Sequence, residues 1–347
     1  MTMGKKLSQK ILFFVVIFML TSGNILGCSS SENYSRTIFL MDTKIDAAVY
    51  GAGKKQSDEV FAAIFEEMQR LEKILSRHIF ESDVNRINEG AGRYPVKVEA
   101  ETIQVIKKAL EVAELSRGAF DPTVGALLEL WGWGTDKLRV PSEEEIVAVL
   151  PLVDYKKVEV DGESSTVYLA EPGMKLDLGG IAKGFIVDRG LMAAKGYPFR
   201  GLFINAGGDI SILGEKPSGE KWRVAVQSPW DPLTWVAVLE TAGGSIATSG
   251  NYQRYFEEDG QLFHHILNPW DGFPAQELSS VTILAPEAAV ADALSTAVFV
   301  LGKDKGLSLL ESMEGIEGLI IDKEGNIFIS SGLKGQIEIL KENSNRK

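Results

Sequence analysis

The 347-residue chain has one cysteine, three histidines, and fewer basic than acidic residues. Cys28 is the lone cysteine, so residues 29–347 have no thiol. That excludes an internal disulfide and a cysteine nucleophile from the region. His78, His264 and His265 are too few and too scattered for a zinc site once cysteine is gone. Lysine and arginine number 36 against 48 acidic residues, a formal charge of −12. A chain so acidic is a poor match for nucleic acid, and anionic lipid would repel it. No low-complexity linker or internal repeat follows Thr37. The apolar run over residues 11–20 is too short to span a bilayer comfortably.

What the N-terminus does have is the pattern of an export signal. Lys5, Lys6 and Lys10 precede that run, which has the length of a signal-peptide core. Ile25-Leu26-Gly27-Cys28 then resembles a bacterial lipobox. The resemblance implies cleavage before Cys28 and lipidation of that residue; the plainer alternative is a secretory signal with an incidental cysteine. Ser29-Ser30-Ser31-Glu32-Asn33 reads as a flexible tether, which favours the lipoprotein. The expected organisation is a signal over 1–27, a tether over 28–36 and one folded unit over 37–347. Loss of the three leader lysines leaves 33 basic residues against 48 acidic ones, near −15. The anchor would then be the sole membrane contact.

Apolar periodicity predicts helices over 57–76 and 100–116, a third beginning at Ser142, and others over 181–194 and 288–301. Ser142 and Glu145 have capping-box spacing. Strands are expected over 156–160, 166–169, 174–178, 202–205, 222–227, 235–240 and 281–284. A hairpin is expected from 318–322 and 326–330. Helices and strands mix without regular alternation, which argues for an α+β fold. With 45% hydrophobic residues the chain has ample core for one large domain or two closely joined lobes.

Four clusters carry potential chemistry. In Asp177-Leu178-Gly179-Gly180-Ile181-Ala182-Lys183-Gly184 an acid, a glycine pair and a lysine meet where a strand gives way to a helix. Such a turn admits close backbone approach to an anion. It lacks the Ser or Thr of a phosphate loop and the spacing of a dinucleotide turn, and by itself such a glycine pair is more often plain architecture. Asn205-Ala206-Gly207-Gly208-Asp209 reads by itself as a tight turn. Asp292, Ser295 and Thr296 share a helical face and offer hard oxygen ligands suited to Mg²⁺. A polar stripe on a solvated face has the same spacing. The surrounding alanines and valines argue for burial, where an Asp must be paired or metal-bound. Finally, Thr248-Ser249-Gly250 precedes the adjacent His264 and His265, of which at most one serves a given site. A structural histidine bonded to a carbonyl and one poised for proton transfer both fit.

Read in order, these clusters resemble the ApbE family, the FAD:protein FMN transferases. The resemblance runs from about Met41 to Gly302 and includes Met41 with Thr43, Ser76 through Ser82 to Asn88, and Gly118-Ala119-Phe120-Asp121-Pro122-Thr123-Val124. It continues with Trp131-Gly132-Trp133-Gly134, Asp177 to Gly184, Asn205 to Asp209, Thr248-Ser249-Gly250, His265-Ile266 and Ala291-Asp292-Ala293. It implies a fold related to the T-fold, with mixed helices and antiparallel strands in one two-lobed catalytic unit. It also implies transfer of FMN from FAD to a threonine hydroxyl of a partner protein, with release of AMP. The implied partners are redox proteins of the Na⁺-pumping quinone reductase and Rnf types, met on the outer face of the inner membrane. FAD contacts would come from Met41, His78, Ala119, Phe120, Asp121, Asp177, Lys183, Thr248 and Ile266. Mg²⁺ would sit on Asp292, Thr296, Ser295 and the Gly180 carbonyl, with His265 in the catalytic position. Two departures stand out. Asp42 replaces the family's usual glycine after Met41, and His78 replaces its usual aromatic residue, commonly tyrosine. An FAD pyrophosphatase and a non-catalytic flavin-binding lipoprotein are the rival readings.

Overall fold

The structure, a computed structural model, describes residues 33–340. The signal segment, Cys28 and residues 29–32 lie outside the described residues, as do residues 341–347. Its frame is an eight-stranded antiparallel sheet whose strands lie side by side in chain order. These are β1 (Asn33–Leu40), β2 (Thr43–Tyr50), β3 (Gly201–Ala206), β4 (Asp209–Gly214), β5 (Gly244–Gly250), β6 (Leu278–Ala285), β7 (Glu317–Asp322) and β8 (Ile327–Ile329). The first and last pairs are tight hairpins, whereas residues 51–200 are inserted between β2 and β3.

The helices are α1 (Lys54–Leu75), α2 (Asp83–Gly90), α3 (Ala100–Leu115), α4 (Gly125–Leu130), α5 (Glu143–Val149), α6 (Ala182–Ala193) and α7 (Ala288–Glu311). One face of the sheet is buried by α1, α6 and α7, with α3 behind α7. In α1 the residues at helical spacing, Phe61, Ile64, Phe65, Met68, Leu71 and Leu75, are all buried. Gly190 of α6 lets that helix approach α1, because a Cβ there would lie 3.2 Å from Met68 and 3.3 Å from Ile64. The other face is covered by a three-stranded sheet of Trp222–Gln227, Trp235–Thr241 and Ile337–Ile339. Its Trp222, Val224 and Leu239 pack on Tyr50, Ile212 and Ile246. A smaller lobe has its own apolar cluster around Trp131, Leu127, Ile146 and Leu267. Phe256, Phe263 and Phe273 surround the Trp131 ring.

The expected α+β class holds, and several segments differ in detail. The Ser142 capping box forms as expected and starts α5. Residues 33–36, assigned to the tether, pair with β2 as the outer half of β1. This is an edge strand with mostly exposed side chains, so no apolar pattern announces it. Residues 174–178 form no strand beyond a single bridge between Lys175 and Val124. The Asn88 side chain takes the place of a pairing strand, bonding the Leu176 N–H at 2.6 Å and its carbonyl at 2.9 Å. Residues 155–157 form a 3₁₀ turn, and the strand expected from 156 begins at Val158. The late helix runs on to Glu311, but Gly302 has φ of 78°, so it breaks near its expected end at 301.

Candidate active site

A cleft of about 430 Å³ opens where the end of β5, the C-terminal end of α1, the start of α6 and the middle of α7 converge. Every site residue expected from sequence lines it except Ser295 and, outside the described residues, Cys28. Ser295 lies behind the wall, fully buried: its hydroxyl donates to the Asp292 carbonyl at 2.8 Å and meets the Ser249 hydroxyl at 2.7 Å. It is therefore a wall brace and not a cleft ligand, which corrects the sequence expectation. Spacing put Ser295 and Thr296 on neighbouring arcs of one helix, and helix rotation decides between them.

The turn from Asp177 to Gly184 has separable parts. Asp177 accepts from the Gly179 N–H at 2.7 Å and pairs with Arg77 at 2.7 Å. Its carboxylate thus locks the turn, and no side-chain periodicity marked Arg77 as its partner. A Cβ at Gly180 would lie 3.1 Å from the Phe120 ring and 3.4 Å from the Thr296 hydroxyl. The missing side chain brings the Gly180 backbone up to Thr296. Gly184 lets α6 lie on the start of α7, since a Cβ there would sit 2.7 Å from Ala289 N and closer still to the Ala288 carbonyl. The anion at this helix start is the protein's own: the Gly184 N–H donates to Asp292 at 3.2 Å.

Lys183 is paired with Asp209 and lies 3.6 Å from Asp292. Burial works against its charge, but the two carboxylates outweigh that and hold its pKa above the ordinary range. Asp209, which sequence left as part of a tight turn, is thus the lysine's counter-ion. The turn itself is closed by Asn205, which accepts from the Gly208 N–H at 2.9 Å. Asp292 is buried, which raises its pKa; Asp209 adds to the rise while Lys183 opposes it. Among the described residues no three His, Cys, Asp or Glu side chains gather as a metal cage. Asp292 and Thr296, one helical turn apart, stand beside the Gly180 backbone with hard oxygen donors only.

The two adjacent histidines do different work. His264 is buried, bonds the Ala275 carbonyl through Nε2 at 2.8 Å and accepts the Ile266 N–H on Nδ1. His265 lines the cleft, and its Nδ1 lies 3.2 Å from the Arg254 carbonyl. That bond assigns the proton to Nδ1 and leaves Nε2 as the acceptor. Burial, with help from Arg254, pushes the His265 pKa down to about 3, so the ring is neutral. Trp133 stands edge-on to it with centroids 6.0 Å apart.

The remaining walls are a hairpin turn, a rim histidine and buried apolar side chains. Met41 and Asp42 form the two-residue turn between β1 and β2 with φ of 53° and 55°. Positive φ at both positions marks the hairpin turn that favours glycine, and an Asp tolerates it better than most residues. Met41 is tied to α1 by its N–H, which donates to Glu72 at 2.6 Å. His78 is an exposed rim residue, while Ala119, Phe120 and Ile266 are buried. Partial desolvation against the cleft wall lowers the His78 pKa, and Arg77 adds to the effect. Thr248 shares a hydrogen bond with Thr282 at 2.9 Å. Asp121 is engaged within the protein: it accepts from the Thr123 N–H and hydroxyl and from the Tyr155 N–H. The Trp133 indole N–H is buried without a partner among the described residues.

Known proteins share this architecture. A sequence model of the ApbE family matches residues 41–320. A Treponema pallidum protein named FAD:protein FMN transferase is 34% identical over 339 residues, covering 92% of this chain and 92% of its own length. One of the same name from Klebsiella pneumoniae is 35% identical over 306 residues, covering 87% and 93%. The crystal structure of the ApbE protein from Thermotoga maritima superposes with a TM-score of 0.82 at 39% identity, covering 88% of this chain and 99% of that one.

Proposed function

The chain belongs to the ApbE family, and on that footing we propose that this FAD:protein FMN transferase is Mg²⁺-dependent and modifies a threonine of a partner redox protein. One observation carries the proposal: the hard oxygen donors of Asp292, Thr296 and Gly180 share a cleft with a neutral histidine. A single carboxylate suits Mg²⁺, which keeps several waters and binds substrate phosphates alongside one or two carboxylates. Bound there, the ion would supply charge neutralisation for the diphosphate of FAD.

The chain's own residues account for the rest. The acceptor threonine oxygen bonds to the FMN phosphorus as the bond from that phosphorus to AMP breaks. His265 Nε2 takes the hydroxyl proton, and AMP departs. Nε2 of His265 itself holds no proton, which is the form a base requires. An arriving diphosphate carries negative charge beside the ring and raises its proton affinity. The nucleophile comes from the partner, consistent with a described region that contains no cysteine.

We further assign the acceptor to the Na⁺-pumping quinone reductase or Rnf type. In this reading residues 1–27 are removed and Cys28 carries lipid. The catalytic unit then sits on the outer side of the inner membrane. The test is incubation with FAD, Mg²⁺ and an acceptor fragment bearing the threonine, followed by mass spectrometry. An FMN adduct that needs Mg²⁺ is expected. Free FMN and AMP with no adduct would instead identify a pyrophosphatase, and an Asp292→Ala variant with full Mg²⁺ dependence would overturn the metal assignment.

A further inference from the structure

The cleft is charged against its own substrate. Five carboxylates line it, from Asp42, Glu72, Asp121, Asp177 and Asp292, against three cations, Arg77, Lys183 and Arg254. Two of those cations are already committed. Arg77 pairs with Asp177 at 2.7 Å and donates to the Trp133 carbonyl at 2.9 Å. Lys183 pairs with Asp209 and stands near Asp292. Arg254 differs: it is exposed, lines the cleft, and its guanidinium makes no ion pair or side-chain hydrogen bond among the described residues. The same residue fixes the histidine, because its carbonyl accepts both the His265 N–H and, at 3.2 Å, Nδ1–H.

Resting on the transferase reading above, we propose that Arg254 is the cleft's phosphate-binding side chain. Its guanidinium pairs with the diphosphate of the flavin dinucleotide while its carbonyl sets the ring of His265. Diphosphate and histidine are thereby registered on one residue. Three features of the site agree. A guanidinium presents a planar fork of donors that matches phosphate oxygens. Arg254 also helps to lower the pKa values of His265 and His78, so its positive field reaches into the cleft. Its exposure means no packing is lost when the side chain swings onto a ligand. Lys183, the obvious candidate by sequence, would have to abandon a buried aspartate to do the same, at a penalty that disfavours it.

The test compares FAD with riboflavin, which has the isoalloxazine ring but no phosphate. Binding of both to the full folded chain is measured by flavin fluorescence, for wild type, Arg254→Gln and Arg254→Lys. Arg254→Gln is expected to weaken FAD roughly 10- to 100-fold, as for a lost charge-assisted hydrogen-bond pair. Riboflavin should stay within about twofold of wild type, and Arg254→Lys should recover part of the FAD affinity as a point charge. The FAD affinity of wild type should fall with added salt more steeply than that of Arg254→Gln. Equal weakening of FAD and riboflavin would mean a structural role and overturn the proposal, as would unchanged FAD binding. A thermal melt of each variant checks folding, and a melt lowered for Arg254→Gln alone also counts against it. If wild type itself binds FAD no better than riboflavin, the transferase reading fails, separately from this inference.

Discussion

Gly184→Ala is a sharp test of how the cleft is assembled. Alanine normally gains over glycine in a helix, by up to about 1 kcal/mol, and restricts the unfolded chain. Propensity alone therefore predicts stabilisation. The structure predicts the opposite. The new Cβ would lie 2.7 Å from Ala289 N and closer still to the Ala288 carbonyl, both backbone atoms at the start of α7. Carbon and nitrogen normally meet at about 3.5 Å or more, so the two helix ends must separate by roughly 1 Å. Relief is restricted, because Asp188 of α6 holds the same corner by accepting from Ala288 N–H at 2.8 Å and Ala289 N–H at 2.9 Å. Overpacking of this kind costs about 1–3 kcal/mol and outweighs the helix gain. The net loss should lower the melting temperature by about 2–6 °C. The same displacement stretches the 3.2 Å bond from Gly184 N–H to Asp292, so under the proposed metal role FAD binding with Mg²⁺ should weaken as well. Differential scanning calorimetry and a metal titration read the two effects. An unchanged or raised melting temperature with normal Mg²⁺ dependence would refute the close-packing argument.

Other outcomes follow from single residues. Asp188→Ala should cost about 1–2 kcal/mol in denaturant unfolding, because two N–H groups at the start of α7 lose their acceptor. Trp133→Phe removes a buried donor with no partner, so apo stability should hold or rise while flavin affinity and flavin quenching of tryptophan emission fall; a destabilised apo variant would contradict this. His265, with its pKa pushed down to about 3, binds no proton in the folded state where the unfolded chain binds one below about pH 6.5. Stability is thus present above that value and declines as pH falls towards 3, a slope that His265→Gln should reduce in unfolding measured at pH 7 and pH 5. Asp42→Gly should relieve the left-handed turn at φ 55° and stabilise the β1–β2 hairpin by roughly 0.5–1 kcal/mol, read as a higher urea midpoint.

Much of this was legible from residue patterns, and the omissions have physical causes. The apolar stripe of α1, the Ser142 cap of α5 and the β7–β8 hairpin all follow local rules that need no tertiary information. β1 and β5 obey no such rule. One is an exposed edge and the other is rich in small polar residues, and each is a strand because of its neighbours. In the cleft, the glycines and Asp292 were visible because motifs carry them. Arg77 and Arg254 were not, since an arginine on a loop looks like any solvated charge until its partners are known, and Asp209 stood in a motif whose role as the Lys183 counter-ion only the fold reveals. Ser295 shows the converse: the motif sets it beside Thr296 on α7, but in the fold its hydroxyl braces the wall and Thr296 alone of the two lines the cleft.

The hairpin that carries Met41 also fixes a length. β1 runs without a bulge from Asn33 to Leu40, and the turn at its far end forms part of the cleft lip. At about 3.4 Å per residue, the lip stands roughly 24 Å along the strand from the point where the chain enters the fold. Because this distance is built from paired backbone, changes to the polypeptide before Asn33 would leave it unchanged. If Cys28 carries the proposed anchor, the reach from anchor to lip includes this fixed length, so a rigid spacer inserted beneath an acceptor threonine should change its rate of modification even when its local sequence is untouched.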